Sequence, residues 1–469
     1  MNCSFALEKV EASLRVLGEA AGTHRGLLPS VLDLGGAPIW RLPALALGQR
    51  QSDRSFPGSN LMHDHVTLGT MKHLARVGRG TDLSEMADAS IRRFVTHCCT
   101  TASGLYPWGE HAFWNLADDC PGNSYTMDGT ADGLKHDHLL QAPVWLWEEI
   151  RKVDPCKVNA FAQGLDNHWR SNSPLEYNRH APMQKQGRVL NQDQVSCDFP
   201  RHSGFYALDW SFAFRHSGNE EFRSQLREIV DYWWLRRKEN NALPLSSRFD
   251  SPHAYYGDLA YAQTLSLGVS LLETAAELER PDSALAEVCR QRGHSYVRAF
   301  LHGPHDPAKG LIVSTQNVLD SRTWNLMPLW GSIYGDHSAA TAGLLLLRAC
   351  DFLEEAQPLI SFCEKLAASY PSLPTSCHAP AKDAGQVVGF FTELSIRSGK
   401  YLWRQKACDH AGQALRAYLD GKLPRGAAGL DWYESQMLPG HLLSSIARLA
   451  CIEKDAAVST IWPADYSLR

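Results

Sequence analysis

Leu7, Val10, Leu14 and Leu17 recur at helical spacing and predict an amphipathic helix over residues 5–20. The same period returns along most of the chain. It predicts helices over 60–78, 83–101, 137–153, 155–171, 204–217, 219–239 and 257–280, then over 282–301, 337–351, 353–370, 385–399, 402–420 and 437–453. Alternating β-branched runs are few and short, so a strand signal is almost absent.

The predicted helices come in pairs. The first of each pair is apolar and aromatic nearly all round, as over 205–214, 259–272 and 339–347. The second carries charge on one face, as over 220–237, 284–298 and 353–365. A helix apolar on every side belongs inside a large core, and one with a polar face belongs outside it. Six such hairpins run from residue 60 to residue 420. The last helix then lacks an outer partner and the first lacks an inner one, so pairing those two closes a ring of seven inner and seven outer helices. The expectation is an all-α (α/α)7 toroid, with residues 1–469 as one domain. The long connections 28–58, 103–135, 172–202 and 302–335 hold Trp, Tyr, His and Arg rather than Ser/Gly filler, and read as ordered cleft walls on one face.

Composition narrows the class. Of 469 residues, 44% are hydrophobic and 21% charged, which is ordinary globular usage and excludes a disordered, collagenous or coiled-coil chain. Lys plus Arg number 46 against 51 Asp plus Glu, a net charge of −5 that argues against a dedicated nucleic-acid binder. Apolar windows such as 265–272 and 342–347 are too short to span a bilayer, so no membrane partner is expected. The first twenty residues lack the basic and apolar regions of a secretory signal. Twelve scattered cysteines show no C-x-x-C or regular framework. A reduced, cytoplasmic setting is favoured; export on a leader absent from this sequence is the alternative.

Chemistry-bearing residues gather just before the inner helices. His63-Asp64-His65, Tyr106 through His111, His136-Asp137-His138, Arg201 through Tyr206, Arg248 through Tyr256, Tyr334 through His337 and Asp431 through Glu434 all stand there. In a ring of hairpins these positions open at one end, where helix dipoles favour anions. Two readings compete for the His-Asp-His triplets. A zinc or manganese site could be built across both. The preferred reading makes Asp64 and Asp137 helix caps, with no metal and no cofactor. No G-x-S-x-G elbow, G-x-G-x-x-G or G-x-x-x-x-G-K-[ST] loop occurs, which sets aside serine-hydrolase and nucleotide chemistry.

Arg201 and His202 precede Ser203, the expected cap of an inner helix; Arg248, Tyr255 and Tyr256 stand before the next one. That set fits β-elimination on a uronic acid. A cation or imidazole neutralises the C6 carboxylate, a Tyr or His takes the C5 proton, and a Tyr hydroxyl protonates the leaving oxygen. His202, Arg248, Tyr255 and Tyr256 are therefore the catalytic candidates. Arg201, Tyr106, Trp108, Glu110, His111, His138 and Trp330 are the substrate-binding ones, with Trp108 and Trp330 as stacking platforms. Arg54, Arg179, Arg201, Arg248 and Arg322 would give the cleft a cationic lining suited to an acidic polysaccharide or oligosaccharide, unless they tie loops to neighbouring Asp53, Asp198, Asp250 and Asp320.

The ring, the segment from Tyr106 to His111, Arg201-His202 with Tyr206, and the Tyr255-Tyr256 pair resemble the helical-toroid lyases that cleave alginate or glucuronan, polysaccharide lyase family 38 among them. The resemblance covers the chain from about residue 55 onward. It implies Tyr/His elimination without an obligatory metal, carried here by His202, Arg248 and one of Tyr255 and Tyr256. A glycoside hydrolase using two carboxylates from Asp64, Glu110, Asp137 and Glu434 is the first alternative, and a non-catalytic sugar-binding protein the second.

Overall fold

The computed structural model is described for all residues except 47–48, 125–133, 138–139, 173–174, 186, 189–197, 247–256, 321–323, 333–336 and 375–378, and except the side chains of 171, 172 and 175. Its frame is a set of helices: α1 (Cys3–Thr23), α2 (Leu61–Arg76), α3 (Thr81–Arg93), α4 (Val144–Val153), α5 (Pro155–Gly164), α6 (Pro200–Ser217), α7 (Glu220–Trp234), α8 (Tyr261–Leu278), α9 (Ser283–Leu301), α10 (Ala339–Ala349), α11 (Gln357–Ser369), α12 (Ala381–Ser398), α13 (Tyr401–Tyr418), α14 (Pro439–Lys454) and the single turn α15 (Val458–Ile461). The predicted inner helices all form. Their starts differ from expectation by a few residues, most at α4, which begins at Val144 rather than near residue 137.

Local chemistry sets the ends. Asn2, Asn60, Asp154, Asn219 and Asp282 accept hydrogen bonds from first-turn backbone N–H groups of α1, α2, α5, α7 and α9, which supplies partners that the helix itself cannot. Gly218 and Gly399 end α6 and α12 in the left-handed conformation.

Burial separates two layers. In α12 every residue from Ala381 to Ser395 is buried, and in α6 every residue from Pro200 to Phe214 except Arg201. Helix α7 buries only one stripe, Phe222, Leu226, Ile229, Val230, Tyr232 and Trp233. Inner helices pack side by side in the order α6, α8, α10, α12, α14, α2. The circle is completed through α4, which Lys72–Glu149 joins to α2 at 3.1 Å and Trp147 Nε1–Asp209 joins to α6 at 2.8 Å. Helix α1 packs on α14, as the unpaired first and last helices require. Among the described residues the ring has seven inner and seven outer helices.

Within each hairpin the link is short, for example Gly218-Asn219 between α6 and α7. The long segments run from each outer helix to the next inner one, so they all lie on the face where inner helices begin. They contain the strands that the sequence did not signal. Val31–Asp33 pairs antiparallel with Trp432–Glu434 across the seam of the ring, and Gly58–Ser59, Ala112–Asn115 and Cys120–Asn123 form a three-stranded sheet. A second three-stranded sheet holds Leu259–Ala260, Ile312–Gln316 and Trp324–Met327. Two further pairs join Lys135–His136 to Ala181–Pro182 and Trp169–Asn172 to Leu175–Tyr177.

Residues 462–469 run into the axis of the ring. Trp462 O accepts from Arg448 of α14 at 2.7 Å, Ser467 meets His65 of α2 at 2.9 Å, and Arg469 pairs with Glu273 of α8. A cavity of about 370 Å³ remains beside them, lined by Val66, Trp145, Leu208, Glu273, Arg348 and Tyr466 among others.

Candidate functional site

The densest group of titratable side chains lies in the connections that precede α2, α4 and α6. Gly109, at φ 114°, turns the chain there. A Cβ at that position would lie 1.9 Å from the Asp137 carbonyl oxygen, so only glycine permits the approach. The turn aims two successive N–H groups, of Glu110 and His111, at Asp137 Oδ1, at 2.8 and 3.3 Å. Arg179 forms an ion pair with Glu110. His111 Nδ1 lies 2.9 Å from the Ser52 carbonyl, which makes it the protonated nitrogen, and its ring stands 5.1 Å from that of His180. Asp53 Oδ1 is 3.7 Å from His111 Nδ1.

Proximity pushes these groups apart electrically. Burial alone would raise Glu110, but the Arg179 guanidinium and the flanking imidazoles hold it well below the usual carboxylate range. Burial, then the Glu110 charge, pushes Asp137 well up and Asp53 up to about 6. Burial and the neighbouring Arg179 drive His180 well below its ordinary value, toward the neutral ring.

A second feature is a buried chain of donors. Trp108 Nε1 donates to His136 Nε2 at 3.2 Å, His136 Nδ1 meets His168 Nε2 at 3.1 Å, and His168 Nδ1 meets the Asn178 carbonyl at 2.7 Å. With the indole N–H as the fixed donor and the carbonyl as the fixed acceptor, both imidazoles are neutral with their protons on Nδ1. Tyr206 OH lies 3.3 Å from His168 Nδ1.

Two smaller sets of contacts stand at the starts of α6 and α10 and of α12. Arg201 is half-buried, with a guanidinium nitrogen 3.4 Å from His337 Nε2. His202 is buried beside the rings of Phe199 and Phe205. Asp383 accepts from the Ser332 N–H at 2.8 Å and also from its hydroxyl, and Lys382 Nζ lies 2.5 Å from that hydroxyl.

Several expectations are corrected. Asp64 and Asp137 cap no helix: Asn60 caps α2, Asp64 lies inside its first turn, and Asp137 lies in the loop before α4. Ser203 is not the cap of α6 either; Phe199 holds that place, while Ser203 accepts from Trp233 and bonds the Tyr177 hydroxyl. Tyr106 and Trp108 are fully buried among Phe94, Trp147 and Phe161, so neither is a platform open to a sugar. Arg54 is not part of a cationic lining, because it is buried against Glu434 at 2.6 Å. Glu434 is thereby removed from the carboxylates open to substrate. Glu110 and His111 do belong to the dense group, though both are buried. Trp330 is half-buried, its indole N–H donating to Pro371 O at 3.2 Å. Arg248, Tyr255, Tyr256 and His138 lie outside the described residues.

Arg179, expected in the cationic lining, pairs with Glu110; His180, Asp53 and His168 were missed as members of these groups. One signal was available for His180: Arg179-His180 repeats the Arg-His order of Arg201-His202 in another long connection.

No family model and no curated protein matches the chain. The resemblance to polysaccharide lyase family 38 therefore gains no support there. Among solved structures, the chain is similar to cellobiose 2-epimerase from Bacillus thermoamylovorans B4167, with 9% identity over 97% of this chain and 100% of that chain and a TM-score of 0.47. It is similar to an unsaturated glucuronyl hydrolase from Bacillus sp. GL1, with 10% identity, 94% and 96% coverage and a TM-score of 0.45. An α-1,6-mannanase of Salegentibacter sp. HEL1_6 gives 10%, 94% and 99%, and 0.43. Likeness at this level assigns no reaction to this chain.

Proposed function

We propose that this protein is a carbohydrate-active enzyme that takes an acidic, uronyl-containing oligosaccharide or polysaccharide and cleaves it by β-elimination. The observation that carries the reading is Arg201 beside His337, with His202 one residue along, at the starts of inner helices α6 and α10. Two helix N-termini, a guanidinium and the His337 imidazole at one place favour a carboxylate over a neutral sugar. In the elimination, Arg201 would hold the C6 carboxylate and make the C5 proton more acidic. Tyr255 or Tyr256 would move the proton between C5 and the leaving oxygen, with His202 or Arg248 completing the site.

A glycoside hydrolase is the rival. It needs two carboxyl groups about 5–9.5 Å apart with the sugar or a water between them. Glu110 and Asp137 offer oxygens within 4.8 Å of each other, closer than that range, which leaves no room for a sugar or water between them. Incubation with alginate, glucuronan and pectate separates the readings. Elimination yields a conjugated unsaturated uronate that absorbs in the ultraviolet, and Arg201→Lys should lower that rate by roughly tenfold or more because the planar fork is lost. New reducing ends without the absorbance would overturn the lyase reading, and binding without turnover would move the protein to the sugar-binding class.

A further inference from the structure

We infer that Glu110, His111, Asp137 and His180 form a binding site for one divalent cation of the zinc or manganese class. Each side chain offers one ligand atom, and all four atoms lie within 4.8 Å of one another. Zinc–nitrogen and zinc–oxygen bonds near 2.0–2.2 Å place tetrahedral donors roughly 3.4 Å apart, so side-chain shifts of about an ångström complete the shell. Two imidazoles and two carboxylates suit zinc or manganese, whereas calcium and magnesium favour all-oxygen shells.

Two further observations point to a cation. Asp137 is fully buried beside the Glu110 carboxyl, and its Oδ2 accepts from no N–H or O–H donor; His180 Nε2 stands 3.9 Å away, beyond a hydrogen bond. An oxygen so placed has lost water and gained no donor, a costly arrangement that a cation would relieve. The Asp137 Oδ1, by contrast, is fixed by the Glu110 and His111 N–H groups, which orient the carboxyl. The His111 Nδ1 contact to the Ser52 carbonyl is the second. Metal-bound histidines commonly donate their other ring N–H to a carbonyl or carboxylate, which directs the lone pair of the opposite nitrogen at the ion.

Arg179 is the competing cation. Its ion pair with Glu110 could close the group without any metal. The site is independent of the lyase reading, and its test reads metal rather than turnover. The full-length protein is stripped with chelator, dialysed, and titrated separately with Zn²⁺ and Mn²⁺ by calorimetry, with metal content measured after gel filtration. One equivalent per chain is expected for at least one of the two ions, weakened at least about tenfold by Asp137→Asn and by His180→Ala. Because either change could disturb the fold, Arg179→Gln provides the second arm: the metal site predicts binding retained or tightened once the competing charge is gone. Cobalt substitution should add visible ligand-field bands that disappear in His180→Ala. Substoichiometric binding of both ions by the parent and by Arg179→Gln, or binding unchanged in Asp137→Asn and His180→Ala, overturns the inference.

Discussion

Glu434→Ala should unfold this protein more readily than any surface substitution, through the charge it leaves behind. Glu434 Oε1 accepts from Arg54 Nε at 2.6 Å, and Oε2 accepts from another Arg54 nitrogen at 2.8 Å and from Trp432 Nε1 at 2.9 Å. Both partners are only 1% exposed. The remaining Arg54 nitrogen reaches the Pro43 carbonyl at 2.6 Å, so the guanidinium has no route to water. Removing the carboxylate strands a buried cation and three donors, which costs about 3–5 kcal/mol when one partner of a buried pair is deleted. The pair also bridges the segments before α2 and before α14, next to the pairing of Val31–Asp33 with Trp432–Glu434, so the loss falls at the seam of the ring. Urea denaturation followed by tryptophan fluorescence reads the change, provided the slope with denaturant is unaltered. A cycle with Arg54→Met supplies the control: the double variant should cost less than the sum of the singles, since two neutral side chains leave no orphaned charge. A Glu434→Ala cost below about 1 kcal/mol, the value of a solvated pair, would refute the reasoning and reopen Glu434 as a carboxylate available to substrate.

Asp64 is buried, and burial pushes its pKa well above the ordinary value, a hydrogen bond from the Asn60 main chain offsetting this only in part. An acid whose folded pKa is raised destabilises the fold as pH climbs from about 4 toward that folded value, so Asp64→Asn should match the parent at pH 4 and exceed it at pH 8; superimposable pH profiles by chemical denaturation would contradict this. Trp108→Ala should cost about 3–5 kcal/mol of stability, seen as an earlier urea midpoint; unchanged stability with weakened saccharide binding would restore the stacking-platform reading. Gly385→Ala should destabilise by about 1–3 kcal/mol, because the new Cβ would lie 2.4 Å from the His441 backbone and force α12 from α14; a thermal midpoint equal to the parent's would show that the two helices separate freely.

The ring was legible because its signal is local. Leu7, Val10, Leu14 and Leu17 give the period of α1 without knowledge of what they face, and all four are fully buried in the fold. An inner helix such as α12 can be told from an outer one such as α7 because complete burial demands apolar or small residues on every side. The closure of α1 on α14 followed from counting hairpins.

Which polar side chains meet was not legible, because each meeting depends on two segments whose separation in sequence carries no period. Trp108 beside Pro107 and Gly109 looks like a loop aromatic, and only the packing of Phe94, Trp147 and Phe161 around it makes it core. Arg54 stands next to Asp53 in sequence yet pairs with Glu434 from the far end of the chain. His63-Asp64-His65 and His136-Asp137 read as matching motifs, but the first lies within a helix turn while the second ends a short strand and enters a loop, so their aspartates meet different surroundings. Asp137 gathers Glu110, His111 and His180 only because Gly109 brings two strands of loop into contact, and Arg179-His180 arrive there from a third. The amino-acid order determined the helices and the layer each occupies, since burial of a periodic apolar face is decided residue by residue. The tertiary structure alone decided the site, since a charge or an imidazole takes its partner and its protonation from whatever the closed ring places beside it.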